Sequence, residues 1–321
     1  MKKQLFHVTA LCCGAVGLLW SGGCSREQAD REAQQLQARI IQCEVARFEG
    51  QDRFLTGLLR DRSRSVELRC RAALALGRIG HPAAIRALLD ESRDPLARVR
   101  AMALFALGEI IDAENARLHG YAPDDRTIAE IRRCQQDPSA EVRARVIEAL
   151  GKTGRRECLE NLPGMAPDPA ELTEDPMRLY AREWIKAAVR LQHPECVPGI
   201  VRLFRGPERL TALKMANRLL TRLSLRPAVP FEVMVELLAD RDPDVRAAAL
   251  RIGPLVDPPL NLTQLCHGLT DPAHQVRVGA LAGLGRSAHE GAPKALIGYV
   301  DEHLRRLTPW SSLEKSLRLK E

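Results

Sequence analysis

The sequence predicts an all-α solenoid of about seven stacked helix pairs, and three observations carry that prediction. First, Leu68-Arg69-Cys70-Arg71-Ala72-Ala73-Leu74-Ala75-Leu76-Gly77-Arg78-Ile79 returns 31 residues later as Val99-Arg100-Ala101-Met102-Ala103-Leu104-Phe105-Ala106-Leu107-Gly108-Glu109-Ile110. A fixed period of that length marks stacked supersecondary units. Second, Ala and Leu abound while aromatic residues make up 4%. That suits close-packed helices and poorly suits strands, which favour β-branched and aromatic side chains. Third, no run alternates apolar and polar residues between hairpin turns. A chain of 321 residues would ordinarily divide into two domains. An array escapes that expectation, because each unit buries itself only against its neighbours.

The first segment, 1–23, is expected to lie outside the fold. Lys2 and Lys3 open it, and the stretch from Val8 to Trp20 is apolar and uncharged, shorter than the ~20 residues of a comfortable membrane-spanning helix. Ser21-Gly22-Gly23-Cys24 then gives way to the charged Arg26-Glu27, which is a secretory signal pattern. The small residues before Cys24 resemble a bacterial lipobox, in which the cysteine thiol is lipidated and becomes the mature N-terminus. Ser21 departs from it, standing where a bulky aliphatic residue is usual; Cys12 and Cys13 follow no small-residue pair. An ordinary cleaved signal or an uncleaved anchor are the alternatives. The lipobox resemblance implies several acyl chains, palmitate among them, holding Cys24 firmly to a membrane. With Ser25 rather than Asp after the cysteine, it further implies the bacterial cell envelope, at the outer membrane and facing the periplasm.

Residues 24–50 read as a polar helix with apolar spots at Leu36, Ile40, Ile41 and Val45, a tether to the lipid or a cap on the first repeat. The array is expected over 51–308. Within it Val142-Arg143 repeats the pattern after an insertion, Val245-Arg246 and Val276-Arg277 repeat it again, a weaker copy runs from Tyr180 to Leu191, and a divergent one lies near 207–223. Asp94, Asp137, Asp240 and Asp271 each stand five residues before the Val, with Pro directly after three of them and Pro243 near the fourth. Asp there is expected to cap the free amides of a helix and Pro to enter its first turn. The late Gly of each copy is expected to let the chain turn out of the helix. Residues 112–126 and 161–176 are insertions, and the second, rich in Pro and acids, is expected to be a loop. Residues 309–321 read as a polar C-terminal cap.

The pattern Asp-Pro-x-x-x-Val-Arg-x-x-Ala-Ala/Leu-x-Ala-Leu-Gly-x-Ile resembles a HEAT repeat of the short bacterial type named from phycobilin lyases. It covers about residues 50–305. The resemblance implies a right-handed superhelix whose second helices line the concave face. It implies no reaction, because function on such folds lives in grafted sites.

Counting each second helix from its Arg as position 0, positions +3, +4 and +7 are apolar in every copy and predict the core stripe; Trp184, at +3, reads as core filler. Position 0 holds Arg69, Arg100, Arg143, Arg246 and Arg277. With Asp94, Asp137, Asp240 and Asp271 these resemble the Asp–Arg ladder between neighbouring HEAT units. Positions +2, +5 and +9 share another face, occupied by Arg71, Leu74 and Arg78, then Met102, Phe105 and Glu109, then Arg145, Glu148 and Lys152. Glu183, Lys186 and Arg190 follow, and Arg251 and Arg286 stand out in the late copies. Those first nine are the expected partner-binding residues, with a merely solvated face as the plain alternative. Basic residues at +9 also sit where a helix C-terminus favours them without any partner.

The net charge of +7 is spread along the chain, and a nucleic-acid site is not expected. Beyond Cys24, Cys43, Cys70, Cys134, Cys158, Cys196 and Cys266 show no metal-type spacing and are expected to be buried thiols. No phosphate loop, zinc-type helix or nucleophile elbow appears. Deoxyhypusine hydroxylase, an enzyme of HEAT-like fold, uses several His-Glu pairs to hold two irons; this chain has His289-Glu290 alone, so no metal or other cofactor is expected. The sequence predicts a membrane-anchored scaffold for a protein partner, with no small-molecule substrate evident. The alternative is a lyase-like enzyme or chromophore accessory, which would place His and Cys together in one accessible pocket.

Overall fold

The computed structural model describes residues 28, 30–46 and 52–307. The signal segment, Cys24 and the stretch over 309–321 lie outside these residues. Among them the structure is helical, and extended pairing is confined to an isolated parallel bridge between Ala228 and Asp257. The described residues divide into two compact units, one up to residue 135 and one from residue 136.

The first unit holds α1 (30–46), α2 (Asp52–Arg60), α3 (Val66–Ile79), α4 (Ile85–Glu91), α5 (Ala97–Ile110), α6 (Ala113–Leu118) and α7 (Asp125–Arg132). Ser65 starts α3 by accepting the Leu68 N–H, and Gly80, in the left-handed region at φ 76°, ends it with its N–H on the Leu76 carbonyl. A side chain at that φ would be strained. Asp124 caps α7 by accepting the Thr127 N–H at 2.7 Å. The 112–126 insertion contains α6, whose Asn115 donates to the Gly80 and Ile110 carbonyls at 3.0 and 2.9 Å.

The second unit holds α8 (Ala140–Lys152), α9 (Asp175–Arg190), α10 (Val197–Arg202), α11 (Arg209–Leu223), α12 (Phe231–Leu238), α13 (Pro243–Ile252), α14 (Leu262–His267), α15 (His274–Leu284) and α16 (Ala292–Leu307). The repeat's second helices are α3, α5, α8, α9, α11, α13 and α15, so the array has the expected seven. The fourth lacks an α-helical first member. Residues 156–171 fold instead as three 3-10 turns, Arg156–Leu159, Leu162–Met165 and Pro169–Glu171. The prolines there deny α-helical amides, yet Leu159, Leu162 and Leu172 are buried. This stretch is therefore packed structure rather than the expected free loop. Trp184 Nε1 donates to the Leu162 carbonyl at 2.8 Å and the Tyr180 hydroxyl to that of Met165 at 2.9 Å, which pins it to α9.

The core follows the predicted columns. Positions +3, +4 and +7 are buried from α3 to α15, Leu281 being half-buried, and Trp184 is fully enclosed. Two local readings need correction. Gly77 and Gly151 do not release the chain; both lie inside their helices, where a Cβ on Gly77 would come 2.8 Å from the Ala106 Cα and one on Gly151 3.1 Å from the Ala187 Cβ. They are glycines of close helix approach. The column aspartates are not the N-caps either: the caps are Leu96, Ser139, Asp242 and Ala273, each two residues later. Asp94, Asp137, Asp240 and Asp271 accept the N–H of that later residue at 2.8–2.9 Å. Pro95, Pro138 and Pro272 accordingly lie before the helix, and Pro243 alone of the four enters a first turn.

Candidate functional site

Four of the position-0 arginines, Arg100, Arg143, Arg246 and Arg277, share one local role. Each donates through Nη1 to the carbonyl of its own repeat's Asp and to the next one along: Arg100 to Asp94 and Pro95, Arg143 to Asp137 and Pro138, Arg246 to Asp240 and Arg241, and Arg277 to Asp271 and Pro272, all at 2.8–3.2 Å. The guanidinium thus ties the helix to the turn that opens it. Its remaining N–H groups are left for the following repeat. Arg246 grips Asp271 with two bonds, at 2.9 and 3.0 Å.

Arg69 is the most deeply placed of these side chains. It donates to the Leu59 carbonyl at 2.8 Å, to Glu91 at 2.8 Å and to Asp94 at 2.5 Å, with 3% of the Arg side chain and none of the Asp94 side chain exposed. One guanidinium serves two acids here. Burial pushes both carboxyls up, but Arg69 and the Leu96 N–H hold Asp94 below the usual carboxylate range. Glu91 stays above it, with the neighbouring Asp94 charge adding to burial.

The ladder is not continuous. Arg143 meets no carboxylate among the described residues; its second amino group faces the Met177 sulfur at 3.8 Å and the guanidinium lies 5.7 Å from the Tyr180 ring centre. The Asp of the next repeat, Asp175, is almost wholly exposed. Arg209, not predicted, completes a ladder step instead: it holds Asp240 through two bonds at 2.7 and 3.2 Å. Aligning Arg209-Leu210-Thr211-Ala212-Leu213 on Arg246-Ala247-Ala248-Ala249-Leu250 would have placed it in column 0. Hydrogen bonding from Arg209 and Arg246 keeps Asp240 and Asp271 below the ordinary carboxylate range.

In the first unit the predicted partner face is half occupied by α1. Ile40 and Cys43 are buried, and Glu44 takes both amino groups of Arg71, the second at 2.8 Å, and one from Arg78 at 3.4 Å. Hydrogen bonding from Arg71 holds the Glu44 carboxyl below its usual range. Arg71 and Arg78 are therefore engaged by the chain's own first helix rather than framing open surface. Leu74, Met102, Phe105 and Glu109 are half-buried. In the second unit Arg145 and Lys152 both turn onto Glu148, at 2.6 and 2.8 Å, within α8. Burial raises that carboxyl, but Lys152 and Arg145 together outweigh it and hold it low.

The later second helices of this unit differ. Lys186, Arg190, Lys214, Arg218 and Arg286 are exposed and Arg251 is half-buried. Lys214, Arg218 and Arg251 line one cavity of about 250 Å³ with Leu213, Met215, Asn217 and Ala248. Another cavity of about 670 Å³ lies between α14 and α16, with Cys266, Tyr299, Glu302 and His303 in its wall. Tyr299 and His303 stack at 4.3 Å. Cys43, Cys70, Cys158 and Cys196 are buried thiols, Cys134 and Cys266 half-buried ones. Burial pushes Cys196 up to about 12. Among the described residues no cluster of acids, His and Cys could hold a metal ion, and no helix is long and apolar enough to cross a membrane.

Within each unit, second helices that repeat one residue pattern pack against their neighbours, as in an α-solenoid of repeated helix pairs. Residues 68–94 match the PBS lyase HEAT-like repeat family, and the chain is a HEAT-like repeat protein. Its fold is similar to that of YibA from Escherichia coli, at 20% identity over 83% of this chain and 89% of that one, with a TM-score of 0.58. An engineered protein is similar at 19% identity over 83% of this chain and 77% of its own, with a TM-score of 0.51. A looser likeness, to the CpcE–CpcF complex of phycocyanin lyase from Nostoc, has 17% identity over 79% and 95% and a TM-score of 0.44, too low to assign an activity. No curated protein sequence matches the chain.

Proposed function

We propose that this chain is a membrane-anchored HEAT-like scaffold, held by lipid on Cys24, that binds a protein partner along the face of its second helices. One observation supports this most. Position +5 holds Leu74 and Phe105 in the first unit and Glu148, Lys186, Lys214, Arg251 and Ala282 in the second, and none of them is buried. Two positions away, +3 and +7 are uniformly small or apolar and enclosed. Packing dictates the inner columns and leaves this one free to differ, as a recognition surface would. A photo-crosslinking residue at 74, 186, 214 or 251 should capture one and the same protein. The same residue at Arg86 or Glu232, on first helices, should not. Capture from the first-helix sites alone would refute the assignment. Cys24→Ala should leave the membrane fraction or accumulate as precursor; unchanged processing and fractionation would remove the anchor from the proposal.

A second reading, an enzyme or chromophore accessory, is favoured by the cavity that brings Cys266 and His303 into one wall. It predicts that a bound chromophore or a covalent adduct is lost on Cys266→Ser while crosslinking from position 214 is unchanged.

A further inference from the structure

We propose that the second-helix face of α9, α11, α13 and α15 is a docking surface for an extended acidic peptide segment of the partner, an inference that rests on the scaffold reading above. The charge distribution is the starting point. α11 and α15 contain no acidic residue at all. On α9 the buried Glu183 is taken by Lys186 at 2.7 Å, and on α13 Asp244 approaches Lys214 no closer than 3.8 Å. Arg190, Arg218, Arg251 and Arg286 meet no carboxylate among the described residues.

The helices that carry these cations explain only some of them. Arg190, Arg222 and Arg251 stand in last turns, where the helix dipole favours positive charge. Lys214 and Arg218 stand in the middle of α11, where it does not. Lys214, Arg218 and Arg222 follow one another at i, i+4 spacing, so like charges face each other along one stripe and disfavour the helix. Asp244, 3.8 Å from Lys214, offsets part of that repulsion, and an anion from outside would offset the rest.

The cations also converge across helices. Arg286, just after α15, reaches over α13 to donate to Asn217 of α11 at 2.5 Å and to the Arg251 carbonyl at 3.3 Å. Charge from the end of the fourth helix is thereby brought onto α11 at Asn217, the residue before Arg218. The 250 Å³ cavity between Lys214, Arg218 and Arg251 has Leu213, Met215 and Ala248 among its lining. That combination accepts a short acidic side chain, its methylenes on the floor and its carboxylate on the rim.

Size and chemistry select the peptide. Four helices at 8–10 Å spacing extend over roughly 25–30 Å, about the length of eight extended residues. Single-stranded nucleic acid is held by aromatic platforms as well as charge, and no aromatic side chain lines this cavity. Toward α8 the stripe meets the Arg145–Glu148–Lys152 cluster, where both cations already turn onto one carboxylate.

The test uses a fluorescein-labelled octaglutamate peptide and fluorescence anisotropy with the whole protein. The parent should bind it in a salt-dependent manner, and Arg218→Glu with Arg251→Glu should weaken binding at least tenfold at an unchanged melting curve. If that pair shifts the melting curve, Arg218→Gln with Arg251→Gln provides the same reading. Arg202→Glu with Arg241→Glu, the same charge change placed elsewhere in the unit, should bind as the parent does. Equal binding by the Arg218/Arg251 variant overturns the proposal. So does displacement of the peptide by a thymidine oligonucleotide of equal charge, or by phosphatidylglycerol vesicles, at lower concentration than unlabelled peptide. Failure here is distinct from failure of the scaffold: a partner crosslinked as well in the Arg218/Arg251 variant as in the parent refutes the acidic site and keeps the scaffold. Peptide binding lost on the variant, with no protein crosslinked, does the reverse.

Discussion

Arg69→Ala removes the guanidinium that two buried acids share, and its consequence can be worked from the geometry. Glu91 and Asp94 are 10% and 0% exposed in their side chains, so neither can recover by turning into water. Asp94 keeps the Leu96 N–H at 2.8 Å, while the Leu59 carbonyl loses the Arg69 donor recorded at 2.8 Å. Breaking a buried pair by removing one partner costs about 3–5 kcal/mol, and the second orphaned acid places the expectation at the upper end. The loss should be local, because repeats communicate only with their neighbours. Urea unfolding followed by circular dichroism gives the magnitude, and hydrogen exchange gives the place: protection should fall in α2–α5 and hold in α11–α15. The pH dependence carries the sign. In the parent, Asp94 titrates low and so contributes stability above its unfolded pKa that is lost as pH falls through its folded value. Glu91, which titrates high, opposes folding once pH rises above its own unfolded value. Without Arg69 both carboxyls are pushed upward by burial, and protonation relieves both. The deficit of the variant should therefore be largest at neutral pH and shrink as pH falls toward about 4. A deficit under about 1 kcal/mol at pH 7, the range of an exposed pair, or one that widens on acidification, would refute the reasoning.

Three further outcomes are expected. Arg143→Ala should cost about 1–2 kcal/mol, less than Arg69→Ala, since it forfeits hydrogen bonds to carbonyls and the Tyr180 contact but orphans no buried acid; equal melting curves for the two variants would contradict the geometry. Glu44→Gln should loosen α1, seen as faster limited proteolysis within 30–46. In the parent that docking should persist through mildly acidic pH and be lost only below about 4.3, the ordinary glutamate value, because Arg71 holds the Glu44 carboxyl low. Phe105→Asp separates recognition from packing: crosslinking to the partner should fall by more than the folded fraction does, and a parallel fall of both would make Phe105 part of the chain's own packing.

Some corrections came from relations that a single repeat does not contain. The column aspartates looked like caps because Asp before a helix usually is one; here the turn is two residues longer and the carboxylate serves both its own turn and, in Asp94, Asp240 and Asp271, the preceding repeat's arginine. Arg209 was hidden by a divergent copy and an irregular spacing. Arg71 and Arg78 read as open surface because nothing in their own repeat marks Glu44, 27 and 34 residues earlier, as their partner. The basic stripe was half legible: Lys186, Arg190, Arg251 and Arg286 stood in the right columns, but Lys214 and Arg218 were not placed beside them until α11 was aligned.

By itself, the sequence determined the all-α class, the 31-residue period, the second helices and the buried columns. These follow from side-chain periodicity within one helix, where every third or fourth residue meets the same neighbour and must be apolar. Only the tertiary structure decided which arginine meets which acid, that Arg143 meets Met177 and Tyr180 instead, that α1 lies over Arg71, and that Lys214, Arg218, Arg251 and Arg286 share one surface. Those outcomes depend on where residues distant in the chain converge, and the reach of a guanidinium is a few ångströms. A one-turn difference in how two helices stack exchanges one partner for another while leaving the pattern of apolar residues unchanged.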